Sequence, residues 1–262
     1  MVTAKKSLGQ NFLKDQKILQ KIIEAGELTK EDTVVEVGPG KAALTTPLLQ
    51  NAGHVIAVEK DDRLIPSLQS IPGLTLIHGD ALTFDPPKTP YKLIANIPYY
   101  ITSPILNHFL LDQFQSGNPP TLIVIMIQKE VAEKILAPGG RHSVLSLQVH
   151  LFGEPSMVCP VPSTAFDPQP KVDSAVIKIR VFDHPRISAD LKKLFWLFHM
   201  SFAQKRKKLS NNLANAFHRE PAEIRALLAL LKINPDTRAE ELTLQEWEAL
   251  FTSLHSDPHS SL

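Results

Sequence analysis

The apolar positions follow two rhythms for roughly the first two thirds of the chain and a single rhythm after that. Residues 33–37, 54–58, 74–78, 91–95 and 121–127 are short apolar or β-branched runs closed by Gly, Glu, Asn or Gln. Such runs predict strands. The run 121–127 is almost wholly apolar, which predicts a central strand covered on both faces. Between the runs the spacing turns helical. Ile18, Leu19, Ile22, Ile23 and Ala25 recur at helical intervals, with Gly26 as the stop. Residues 44–51, 61–69, 103–111 and 129–136 predict further helices, with Asp61 or Asp62 and then Ser103 as caps. Pro138-Gly139-Gly140 breaks the last of these.

Residues 143–152 predict a helix, although their alternation leaves a strand open. Residues 156–160 and 172–181 predict two more strands. The stretch between them holds Pro162, Pro168 and Pro170, which excludes a central strand and predicts a stiff loop. Beyond His184-Pro185 the pattern is helical only, at 189–203, 208–217, 221–231 and 244–254, with 256–262 frayed. Strands alternating with helices predict an α/β fold on a parallel sheet. The change near residue 184 predicts two domains, 1–183 and an all-helical 184–262.

The polar residues at the strand ends give this outline its chemistry. Gly38 and Gly40 follow the first strand, Glu59 ends the second, Asp80 and Ala81 follow the third, and Asn96 follows the fourth. Each is weak alone, but ligands bind outside the carboxyl ends of parallel strands, where all of them fall. Glu59 lies 21 positions after Gly38, which suits an acid accepting hydrogen bonds from both ribose hydroxyls. The run Gly38-Pro39-Gly40-Lys41-Ala42-Ala43 lacks the third glycine of a dinucleotide site. Pro39 also removes a backbone donor that a pyrophosphate cradle needs. A nucleoside cofactor without phosphate fits better. S-adenosylmethionine is one, with its ribose on Glu59, its adenine by Asp80 and Ala81, and its methionine part over the glycines. Asn96-Ile97-Pro98-Tyr99 then offers an amide, a carbonyl, a rigid proline and an aromatic face, a set that suits gripping an adenine.

Composition narrows the class. The chain has 262 residues, 43% hydrophobic and 21% charged, which fits a globular protein with a sizeable core. The single Cys159 permits no internal disulfide and is expected to be a core residue. No apolar run has transmembrane length, and the first residues lack the apolar block of a signal peptide, so a cytoplasmic location is expected. One cysteine and scattered histidines give no metal-site spacing and no nucleophile–base pair, so no metal is expected. Net charge is only +1, yet no acid occurs between Asp190 and Glu220, a segment that carries Lys205, Arg206, Lys207 and Lys208. That segment is the candidate for phosphate contact.

Several stretches together resemble the ribosomal RNA adenine N6,N6-dimethyltransferases that act near the 3′ end of small-subunit rRNA. They are Lys6-Ser7-Leu8-Gly9-Gln10-Asn11-Phe12-Leu13, Glu36-Val37-Gly38-Pro39-Gly40, Gly79-Asp80-Ala81 and Asn96-Ile97-Pro98-Tyr99-Tyr100-Ile101, with Phe166 to Val176, Phe202 to Leu209 and Asn211-Asn212-Leu213. The resemblance implies a seven-stranded, Rossmann-like class I methyltransferase sheet with a small helical C-terminal domain. It implies that Asn11, Leu13, Gly38, Glu59, Asp80 and Asn96 contact the cofactor, with the N-terminal arm as a lid.

Target roles are expected at Asn96 and the Ile97 carbonyl, with Pro98 holding the turn, Tyr99 stacking and Phe166 closing the other face. The expected partner is small-subunit rRNA in a pre-ribosomal particle, with RNA contacts at Lys205 to Lys208 and the protein a monomer. The chain departs from the family pattern at Ala42, where glycine is usual. Alanine is compatible there if φ is negative, so a local adjustment rather than lost binding is expected. Lys207, Lys208 and Ser210 also differ in detail. Competing expectations are a large-subunit rRNA adenine methyltransferase and a non-catalytic assembly or transcription factor on the same fold. A DNA adenine methyltransferase is disfavoured because no separate target-recognition domain is apparent.

Overall fold

The computed structural model describes residues 3–5, 8–137 and 142–255. Lys6, Ser7, the Pro138-Gly139-Gly140 break and the stretch 256–262 lie outside the described residues. The strands are β1 (Phe12–Leu13), β2 (Thr33–Val37), β3 (His54–Glu59), β4 (Leu74–His78), β5 (Tyr91–Asn96), β6 (Leu122–Gln128), β7 (Gly153–Val161), β8 (Phe166–Asp167) and β9 (Ser174–Val181). Seven of them form one sheet in the order β4-β3-β2-β5-β6-β9-β7. Strands β2 to β6 are mutually parallel where they pair, and β9 runs antiparallel to both β6 and β7. The alternation of strand and helix runs explains the parallel part, since each crossover carries the chain back over a face of the sheet.

The strand order places β2 between β3 and β5. Residues 122–127 of β6 are all buried, as an interior strand of a covered sheet requires. The core packs the helix Gln16–Ala25 through Ile18, Leu19, Ile22 and Ile23 against Ile94, Val124, Val161 and Val176. Asp15 caps that helix, its carboxylate accepting from the Lys17 and Ile18 amides at 2.9 and 3.3 Å.

Residues 144–152 are helical, which closes the strand alternative. Two expected caps fail. The helix after β3 spans only Ile65–Gln69, and the Asp61 carboxylate is taken by Arg63 and Gln10 instead. After β5 the backbone turns at once into a 3₁₀ helix, Tyr99–Ile101, then the α-helix Thr102–Leu106, so Ser103 lies inside a helix. The Ile101 amide closes that turn on the Pro98 carbonyl at 3.1 Å.

The chain divides into two compact units, 1–133 with 153–183, and 134–152 with 184–262. A single cut at residue 184 therefore leaves 134–152 on the wrong side of the compact grouping. The physical reason lies in side-chain and backbone pairing within the helical unit. Phe152 stacks on Phe195 at 6.1 Å, and the Arg186 amide donates to the Leu151 carbonyl at 2.9 Å. That unit is organised around Trp247, which is fully buried with its ring edge-on to Phe198 at 5.1 Å. No helix among the described residues is long and apolar enough to cross a membrane.

Candidate active site

In-register pairing puts the strand ends in one row. Val37 is opposite both Val58 and Ala95, and Glu59 is opposite His78. The ladders continue past the strands, with the Gly38 amide donating to the Val58 carbonyl at 3.0 Å and the Gly79 amide to the Glu59 carbonyl at 2.9 Å. Gly38, Glu59, Asp80, Ala81 and Asn96 therefore line a single cavity of about 400 Å³, together with Asn11, Leu13, Gly40, Ile97, Pro98, Tyr99 and Phe166. A cavity of that size fits a small cofactor. The candidates at Lys205 to Lys208 are not part of it.

Glu59 is buried, and both of its carboxylate oxygens accept from backbone amides. One carboxylate oxygen accepts from the Lys60 and Asp61 amides at 2.9 and 2.8 Å, the other from the Gly40 amide at 3.2 Å. A carboxylate has about four acceptor sites. Three are used, so one remains for a ribose hydroxyl, and a second would require the Gly40 amide to give way. Asp80 accepts from Lys60 Nζ at 2.7 Å and from the Leu82 amide at 3.0 Å. The Lys60 ammonium, the largest influence, holds the Asp80 carboxyl below its usual range. Asp80 is thus kept ionised as an acceptor and retains sites for an amino group.

The glycine turn carries strain. Gly38 and Gly40 take φ of 69° and 59°, and Ala42 takes φ of 64°. The negative φ that would suit alanine is not adopted at Ala42. The Ala42 amide closes a turn on the Pro39 carbonyl at 2.8 Å, and the chain must then enter the helix Thr45–Asn51. A left-handed residue accomplishes this at a cost of about 1–2 kcal/mol for a residue with a Cβ.

The N-terminal arm docks by strand pairing. Phe12 is opposite Asp167 and Leu13 is opposite Phe166, extended by the Lys14 amide donating to the Ala165 carbonyl at 2.9 Å. The Phe12 ring lies over Gly40, where a Cβ would come within 3.2 Å, and Lys41 Nζ sits 4.5 Å from the ring centre. Gln10 ties the arm down. Its amide donates to Asp61 at 2.8 Å and its oxygen accepts from the Lys5 amide at 2.8 Å. Arg63 and Gln10 hold the Asp61 carboxyl well below the usual carboxylate range. Sequence reasoning missed Gln10, Lys60, Asp61 and Arg63. The polar Gln10 within an otherwise apolar-anchored arm was the available signal.

At the far side, no described residue hydrogen-bonds the Asn96 side-chain amide or the Ile97 carbonyl. The Asn96 backbone carbonyl lies 3.9 Å from where a Gly38 Cβ would stand, so glycine turn and amide are neighbours. Tyr99 is fixed by a 2.6 Å hydrogen bond between its hydroxyl and Ser174 Oγ. Phe166 is buried.

This geometry has known counterparts. The sequence profile of the ribosomal RNA adenine dimethylases matches residues 1–256. The chain belongs to the ribosomal RNA adenine dimethylase family. A Dehalococcoides mccartyi ribosomal RNA small subunit methyltransferase A is 43% identical over 97% of this chain and 90% of that protein. Among solved structures, a dimethyladenosine transferase from Plasmodium falciparum superposes with a TM-score of 0.76 at 28% identity, covering 94% of this chain and 98% of that one. The 23S rRNA methyltransferase ErmE gives 0.72 at 28%, covering 92% and 98%. This dimethylase is an S-adenosylmethionine-dependent enzyme. The donor set fits that cofactor: one acceptor site left at Glu59, an ionised Asp80, and a glycine turn in left-handed backbone whose Gly40 leaves room for the Phe12 ring that a Cβ would crowd. No group of three or more His, Cys, Asp or Glu among the described residues is placed to hold a metal.

Glu36 lines the same cavity at 1% exposure, and its Oε2 has no hydrogen-bond partner among the described residues. Burial, reinforced by the nearby Glu59 charge, pushes its carboxyl up to about 8. Its folded-state pKa lies above the unfolded value of 4.5, so its contribution to stability is present below that value and lost as pH rises through 8. Glu36→Gln removes this loss. The urea midpoint of the variant relative to wild type is expected to rise between about pH 5 and 9 and then level off; a flat difference would contradict the burial argument. Ala42→Gly relieves the left-handed strain but loosens the unfolded chain, and is expected to gain up to about 1 kcal/mol in chemical denaturation. A loss of stability would show that the turn is not strained.

Proposed function

We propose that the chain methylates N6 of two adjacent adenines in a hairpin near the 3′ end of small-subunit rRNA. The proposed setting is a pre-ribosomal particle in the cytoplasm, with the enzyme acting as a monomer and contributing to assembly. The observation that carries this is the unengaged pair of acceptors, Asn96 Oδ1 and the Ile97 carbonyl, at the end of β5 beside the glycine turn.

An aromatic amine is a poor nucleophile because its lone pair is delocalised into the ring. When bound, S-adenosylmethionine supplies an electrophilic methyl group. The protein's task is therefore alignment, which can lower a barrier by roughly 7–11 kcal/mol. Asn96 Oδ1 and the Ile97 carbonyl accept the two N6 hydrogens and turn the lone pair out of the ring plane. Pro98, with φ of −57°, fixes the turn that aims them. Tyr99, anchored by Ser174, offers a stacking face, and Phe166 closes the opposite wall. The target base leaves its stack to reach them. Each transfer would leave the demethylated thioether of the cofactor behind and release one N6 proton to solvent, so after the first methylation one N–H remains and one acceptor suffices for the second.

RNA grip is assigned to the turn that follows the helix Leu191–Ser201. Lys205, Arg206 and Lys207 are exposed there and make no ion pair among the described residues. Asn212 shapes the turn, its Nδ2 donating to the Ser201 and Gln204 carbonyls at 2.6 and 3.3 Å. Lys208 is paired with Asp236 at 2.9 Å and is the weakest of the four candidates. A large-subunit substrate is the second reading, favoured by the likeness to ErmE. The higher identity to small-subunit enzymes over nearly the whole chain supports the first.

Asn96→Ala is expected to lower kcat for RNA methylation by roughly 100-fold or more, the scale of removing one preorganised polar group. Its cofactor affinity, measured by calorimetry, should weaken far less. Transfer near the wild-type rate would remove Asn96 from the clamp.

A further inference from the structure

Tyr100 stands beside the clamp, and none of the roles above uses it. It is 64% exposed, an unusual state for a large aromatic side chain. It occupies the middle of the 3₁₀ helix Tyr99–Ile101, where successive side chains point about 120° apart. Tyr99 is turned inward to Ser174, so Tyr100 faces a different direction, onto the N-terminal arm. Its ring meets the arm along one edge. A Cβ at Gly9 would lie 3.3 Å from Cε1 and 3.4 Å from Cδ1. The edge contact holds the ring, while most of its surface stays open to solvent.

The surroundings suit a nucleic-acid strand. Lys14, Lys41 and Lys60 line the same cavity. Lys60 is paired with Asp80, whereas Lys14 and Lys41 have no ion pair among the described residues. An exposed aromatic face in a cavity whose lining carries the cations Lys14 and Lys41, the latter over the Phe12 ring, is the combination that binds single-stranded nucleotides, with stacking on the ring and phosphate on the cations.

We propose that Tyr100 is the platform on which the nucleotide adjacent to the target adenine stacks. This rests on the rRNA reading above and deepens it. With one adenine of the pair in the clamp, its neighbour is one nucleotide away, at the cavity mouth. The ring then holds the second adenine while the first is methylated, and the held base is already unstacked when its own turn comes.

The test uses the full chain and a hairpin RNA bearing 2-aminopurine in place of one adenine of the pair. Stacking on Tyr100 quenches that fluorophore. Tyr100→Ala is expected to brighten the bound probe and to raise the KM for unmodified RNA at least fivefold, the lower end of the range for losing one base–aromatic stack. Tyr100→Phe keeps the ring and should restore both. Cofactor affinity should stay within twofold in both variants. Unchanged probe fluorescence and RNA KM in Tyr100→Ala would overturn the proposal. So would weakened cofactor affinity with unaltered RNA affinity, which would make the ring a packing element of the arm. If the wild-type enzyme methylates neither adenine of the hairpin, the rRNA reading itself fails.

Discussion

The site depends on the in-register parallel pairing of β2 with β3 and β5. Because Val37, Val58 and Ala95 share one row, the next residues of each strand leave the sheet at the same height. Gly38, Glu59 and Asn96 emerge there without any long-range design beyond the ladder itself. The Glu59 carboxylate then fastens the arrangement by accepting amides from Gly40, Lys60 and Asp61. A single buried acid thus sets the glycine turn and the start of the next segment. A register slip of one residue would turn every one of these side chains to the opposite face.

A second ladder links the two halves of the cavity. Leu13 of the arm pairs with Phe166, and both line the cavity wall. The arm that covers the glycine turn is therefore hydrogen-bonded to the strand that carries Phe166 on the cavity wall. Gln10, Asp61 and Arg63 fasten the arm at its other end.

Much of this was legible from sequence because it follows local rules. Short apolar and β-branched runs marked the strands. Strand-end placement gave Gly38, Glu59, Asp80 and Asn96. Illegible features depended on partners distant in the chain. Asp61 reads as a helix cap, yet Gln10, 51 positions away, and Arg63 claim it. The 134–152 segment reads as part of the first domain, yet Phe152 stacks on Phe195. Ala42 reads as a departure from the family's usual glycine in the run before the helix, and only the turn closed on Pro39 reveals its left-handed backbone.

In the proposed function the end of β5 is an adenine-amine clamp beside a methyl donor held at Gly38, Glu59 and Asp80. The most direct test incubates the wild-type enzyme with cofactor labelled in the transferable methyl group and with either naked small-subunit rRNA or isolated small-subunit particles. Digestion to nucleosides then locates the label. The account predicts label in N6,N6-dimethyladenosine from the paired adenines near the 3′ end. Unmodified adenine in both substrates, or label on another base, would contradict it.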